Sequence, residues 1–243
     1  MAKSPKDPKE IFPEVTTDYQ GLFGDDLISV ILYGSGTSRD YRPGKSDINF
    51  MIVLSENGIE SLDRAFGIVR KWRKKNVAIP LFLTEKYVET SLDVFPIEYL
   101  NFQRNYLLVF GKDILKDLIF NPELIRHQCE REIKAKLLLL REAFLETSGK
   151  GKALKDIIGQ SISAFIAIFE ALLYLKEEDL PKEKREIIRA TCGVFGIDTG
   201  VFEELLNVKE GKAKPGDDEI KRLFQDYLRE VRKLSNLVDA LRG

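Results

Sequence analysis

The stretch from Leu27 to Leu54, LISVILYGSGTSRDYRPGKSDINFMIVL, constrains this chain more than any other. The apolar run Ile28 to Tyr33 is too short for a helix and rich in β-branched residues, which predicts a buried strand. Gly34 and Ser35 end it. A polar loop carrying Arg39, Arg42 and Lys45 follows, broken by Pro43 and Gly44, and a second apolar run from Ile48 to Leu54 predicts the next strand. Asp47 stands at the mouth of that second strand. A Gly-Ser corner leaves backbone N–H groups unobstructed, and these suit the oxygens of a triphosphate, with the serine hydroxyl as a further donor. A carboxylate one short loop later, on the adjacent strand, can hold a Mg²⁺ that bridges the same phosphates.

At these residues the chain resembles the nucleotidyltransferase superfamily typified by DNA polymerase β and the aminoglycoside nucleotidyltransferases. That pattern is an apolar strand, Gly-Ser, a short loop, then Asp-x-Asp or Asp-x-Glu entering a second strand. Gly34, Ser35 and Asp47 match it, with residues 36–46 as the loop, but position 49 is Asn49. The resemblance implies Mg²⁺ and a nucleoside triphosphate, ATP being the first expectation. Gly34, Ser35, Arg39, Arg42 and Lys45 would hold the phosphates, and Asp47 and Asn49 the metal. The segment FPIEYLNFQRN resembles the part of the streptomycin and spectinomycin adenylyltransferases in which a glutamate before an aromatic acts as base, here Glu98 followed by Tyr99. Asn49 offers one neutral oxygen where two closely spaced cations need charge. Two readings therefore stand: transfer of a nucleoside monophosphate to a hydroxyl, or a nucleotide-binding or regulatory module that kept the fold and lost the chemistry. For Glu98 the bland alternative is an ion pair with Arg104 or Lys112.

Residues Pro8 to Phe23 carry apolar positions at helical spacing and predict a lead-in helix, and Ile59 to Lys75 predicts an amphipathic one ending in RKWRKK. Those terminal cations read first as a solvated helix end and second as a phosphate contact. Val77 to Thr84 predicts a third strand, placed at an edge or bulge by Pro80, and Leu107 to Phe110 a last short one. From Asn121 only helices are expected. Asn121 and Pro122 form a cap and first-turn proline, Ala153 to Leu175 is apolar nearly all round, Pro181 starts a third helix, and a short one follows to Leu206. The polar stretch Lys209 to Glu219 reads as a connector before a last helix, Ile220 to Leu241. The fold class is thus α+β, a mixed-sheet nucleotidyltransferase core over residues 1–119 followed by an all-α helical bundle over residues 120–243.

A net charge of −1 with pI near 6.1 argues against nucleic acid as the general partner. Cys129, Cys192 and the single His127 have no metal-ligand spacing, and each cysteine falls in an apolar helical pattern expected to bury a reduced thiol. No unbroken apolar run is long enough to cross a membrane, and MAKSPKDPKE is too polar for a signal peptide, so the expected address is the cytoplasm. The expected partners are a nucleotide and a small-molecule or protein acceptor, with a homodimer left open. An aminoglycoside acceptor would call for an acid-lined cleft, for which Glu130, Glu132, Glu170, Glu177, Glu178 and Asp179 are available.

Overall fold

In the computed structural model, residues 4–38 and 41–241 are described. A one-turn 3₁₀ helix, Pro8–Ile11, leads into α1 (Phe12–Phe23), and Pro13 in the first turn of α1 explains why the expected continuous helix breaks in two. The strands are β1 (Leu27–Tyr33), β2 (Asn49–Leu54), β3 (Leu81–Thr84) and β4 (Tyr106–Gly111), in sheet order β3-β2-β1-β4. β1 is antiparallel to both β2 and β4, while β2 and β3 run parallel, so the sheet is mixed. Between β2 and β4 lie α2 (Glu56–Ile59), α3 (Phe66–Arg73), α4 (Glu85–Ser91) and α5 (Pro96–Arg104).

The single helix expected over Ile59 to Lys75 is interrupted. Ser55 caps α2 through its hydroxyl to the Gly58 amide, and a separate 3₁₀ turn, Leu62–Ala65, precedes α3. β3 is also shorter than the apolar run suggested, because Pro80 supplies no ladder donor and only an isolated parallel bridge, Ile48 to Val77, continues the pairing.

β1 and β2 are buried on both faces. Ile48, Phe50, Ile52 and Leu54 point into a cluster with Val15, Tyr19 and Phe23 of α1 and Trp72 of α3, while Ile31, Met51 and Val53 are wholly buried on the opposite face. Two covered faces explain why both strands read as continuous apolar runs rather than alternating ones. The cationic end of α3 serves this packing. Lys71 reaches Glu14 at 3.0 Å and Asp18 at 2.6 Å, Lys75 reaches Glu14 at 2.8 Å, and the Trp72 indole N–H donates to Asp18 at 2.9 Å. Exposed ion pairs contribute about 0–1 kcal/mol, so the buried indole, not the lysines, holds α3 on α1.

The remaining helices are α6 (Pro122–Glu146), α7 (Gly151–Leu175), α8 (Lys184–Phe195), α9 (Thr199–Glu210) and α10 (Asp217–Asp239). Asn121 caps α6 as its sequence indicated, accepting from the Glu123 amide at 2.9 Å. By length and composition α7 could cross a membrane, but it is the central helix of the bundle, with Ile158, Ile162, Phe165, Phe169 and Leu173 wholly buried. α10 lays Ile220, Phe224, Tyr227, Val231, Leu234 and Val238 along one buried face. Among the described residues the chain divides into two compact units. One runs to Val94 and resumes at Tyr99–Ile119; the other is Phe95–Glu98 with the chain from Phe120.

Candidate functional site

The polar end of the sheet is where β1 stops. Gly34 takes φ +72°, a left-handed conformation that a glycine enters without penalty, and its N–H donates to the Asn105 carbonyl at 3.3 Å. Gly34–Thr37 then forms a 3₁₀ turn. Thr37 Oγ1 donates to the Gly34 carbonyl at 2.8 Å, and the Ser38 amide and hydroxyl both reach the Ser35 carbonyl, at 3.2 and 3.3 Å. These bonds use up the carbonyls of the corner. Among the described residues the Ser35 hydroxyl donates to none.

β2 brings Asn49 directly opposite Tyr33, and a Cβ built on Gly34 would lie 3.5 Å from Asn49 Nδ2, so the Asn49 amide rests against the corner's backbone. Asp47 precedes Asn49 by two residues. Ile48 between them is wholly buried in the α1 face of the sheet, so strand alternation sends Asp47 and Asn49 to the other side. Tyr33, on that side too, packs edge-on to Phe102 with centroids 4.9 Å apart, and burial pushes its phenol pKa up. Asp47 itself is exposed, as are Arg42 and Lys45. The turn that carries them is closed by Lys45 and Ser46 amides on the Arg42 carbonyl, at 3.0 and 2.8 Å, and by the Arg42 amide on Ser46 Oγ at 3.0 Å. Arg39 lies outside the described residues.

Glu98 stands in the first turn of α5 and is counted with the second unit, whereas Gly34, Ser35, Asp47 and Asn49 belong to the first. It is exposed. Its carboxylate accepts from Gln128 Nε2 at 2.7 Å, and Gln128 Oε1 accepts from the Ile97 amide at 2.8 Å. Neither Gln128 nor a helix over Pro96–Arg104 was legible in advance. Lys112, considered as its ion-pair partner, pairs with Glu85 instead. Of the acids that could line a cleft for a polycation, Glu130 pairs with Arg126 and Lys134, Glu132 pairs with Lys136, and Glu170 is buried.

The donor set suits one hard cation rather than two. Mg²⁺ is commonly held by one or two carboxylates together with substrate phosphates. Asp47 supplies one carboxylate, Asn49 one amide oxygen, and no group of three His, Cys, Asp or Glu gathers among the described residues. Cys129 and Cys192 are free and buried, and burial pushes both thiols up, Cys192 to about 12.

No protein-family model and no curated protein matches the chain. Among solved structures it is similar to the spectinomycin adenyltransferase AAD(9) from Enterococcus faecialis, a structure with ATP and spectinomycin. The likeness has a TM-score of 0.55 at 13% identity and covers 95% of this chain and 99% of that one. The fold is like that of this adenyltransferase. In both, a mixed sheet is followed by a helical region, here the helices from Pro122 onward.

Proposed function

We propose that this chain binds a nucleoside triphosphate, ATP first, at the Gly34–Ser35 corner and transfers its nucleoside monophosphate to a hydroxyl of a small molecule or protein. The observation that carries the reading is the seating of Asn49 against Gly34, with Asp47 two residues earlier, in a nucleotidyltransferase fold. The Ser35 hydroxyl donates to a phosphate oxygen. Arg42 and Lys45, with Arg39, offset phosphate charge. Asp47 and Asn49 would hold Mg²⁺, which when bound supplies neutralising charge at the phosphates. The acceptor oxygen attacks the α-phosphorus, the bond to the bridging β-phosphate oxygen breaks, and pyrophosphate leaves. Glu98 is the sequence candidate for the base that takes the hydroxyl proton, and its Oε2 accepts from Gln128 Nε2 at 2.7 Å.

A second reading, a non-catalytic nucleotide-binding module, is favoured by Asn49 itself, whose amide lowers the negative charge on which a two-cation mechanism depends. Calorimetry with ATP and other triphosphates, with and without Mg²⁺, tests the shared premise, and pyrophosphate release with candidate acceptors separates the two readings. Mg²⁺-dependent binding with release supports transfer. Binding with no release under any acceptor selects the module, and absence of binding overturns both. If Asn49→Asp raises release, the weakened step lies at the metal.

A further inference from the structure

Asp47 has an exposed side chain, yet the backbone on both sides of it is tied to one residue. Asn76 Nδ2 donates to the Ser46 carbonyl at 2.8 Å, and the Asn76 carbonyl accepts from the Ile48 amide at 3.0 Å. The Ser46 carbonyl belongs to the peptide plane before the Asp47 Cα, and the Ile48 N–H to the plane after it. These two planes set φ and ψ of Asp47, and with them the direction of its Cβ and carboxylate.

Asn76 reaches both planes because it sits at φ +67°, in the left-handed region, just beyond α3. Its amide donates to the Arg73 carbonyl at 3.2 Å and the Val77 amide to the Trp72 carbonyl at 3.2 Å, which end the helix. Asn tolerates this backbone better than most side chains, but glycine tolerates it best. Helix termination alone would favour glycine, so the Ser46 bond is what the asparagine side chain adds.

We propose that Asn76 is a positioning residue for Asp47: it clamps both peptide planes that meet at the aspartate, so that the carboxylate is presented to a cation beside the Gly34–Ser35 corner without rearrangement on binding. This rests on the reading of Asp47 as a cation ligand. A positioning role differs from a merely structural one in a measurable way. Asn76→Gly keeps the left-handed backbone and the Ile48 bond, relieves strain, and removes only the grip on Ser46.

The test uses the full chain as wild type, Asn76→Gly and Asn76→Asp, the last retaining the size of the side chain but losing its donor. Thermal midpoint, hydrogen exchange over residues 44–47 and calorimetric affinity for Mg²⁺·ATP are measured on each. In Asn76→Gly the midpoint is expected to hold or rise while exchange over 44–47 quickens and Mg²⁺·ATP affinity falls about five- to tenfold, the worth of one lost hydrogen bond. Asn76→Asp is expected to show the same quickened exchange and weaker binding. Unchanged exchange in both variants, or wild-type affinity in Asn76→Gly, overturns the proposal. If the wild-type chain binds no ATP, the nucleotide reading falls alone, because the exchange comparison still decides whether Asn76 holds the Asp47 backbone.

Discussion

The sheet unit and the helical unit both pair many of their polar side chains, and they differ at one end of the sheet. In the helical unit polar side chains are spent on one another or on helix ends. Arg126 and Lys134 share Glu130, Arg185 meets Glu210 and Asn207, Asp198 caps α9, and the Tyr227 hydroxyl donates to Ser161. In the sheet unit the inner strands are sealed on both faces, yet their polar end keeps Asp47, Arg42 and Lys45 exposed and Ser35 half-buried. The proposed nucleotide chemistry would sit at that corner, where a carboxylate stands close to unobstructed donors.

The sharpest way to break this comparison is to damage each unit where it is least forgiving. Phe224 is wholly buried, stacked on Phe144 at 5.5 Å and edge-on to Tyr227 at 6.1 Å. Phe224→Ala is expected to cost about 3–5 kcal/mol in urea unfolding, the largest effect here. The sheet unit's counterpart is Gly111, at φ +82°, where a Cβ would come within 1.9 Å of the Ile28 carbonyl oxygen. Gly111→Ala must push β4 off β1 and is expected to lower stability by about 2–3 kcal/mol. Equal and small costs at both positions would mean that neither packing arrangement holds in solution.

The next test sharpens the contrast at the polar end. Asp47→Asn is expected to weaken Mg²⁺·ATP binding by about 10- to 100-fold, the worth of one charged interaction, while stability stays within about 0.5 kcal/mol, since the residue is exposed. A fall in stability without a fall in affinity would make Asp47 structural. The smallest effect concerns pH. Burial first, then the hydrogen bonds to Asp113 at 2.8 and 2.9 Å, push the Tyr106 phenol up to about 12. A phenol whose pKa rises on folding adds stability that is whole below the unfolded value near 10 and is lost as pH climbs from there toward 12. Tyr106→Phe should flatten that part of the stability profile, measured by unfolding at pH 9 to 12.

What could be read in the sequence follows the same division. β1, β2 and the Asn121–Pro122 start of α6 were legible because composition and spacing alone decide them, and α10 because its buried face repeats every three or four residues. Its start at Asp217 was not, since the Gly216 amide that donates to the Glu219 carboxylate at 2.8 Å lies inside a polar stretch that reads as connector. The start of α2 rests on Ser55, whose hydroxyl also donates to Asp26, a partner distant in sequence. Gly34, Ser35, Asp47 and Asn49 were legible as a pattern, but Asn76 and Gln128 act through bonds to Ser46 and to Ile97 and Glu98 that no local spacing announces. An asparagine directly after a cationic helix end was the one available hint of a left-handed residue.

Strand direction has a practical corollary. β1 finishes and β2 begins at the corner, so the exit from β2 at Leu54, and the 3₁₀ turn Leu62–Ala65 beyond it, lie toward the opposite end of the strands. A fluorophore attached at exposed Asp63 would therefore report on the folded state from a place remote from any nucleotide held at the corner, leaving ligand titrations undisturbed by the label.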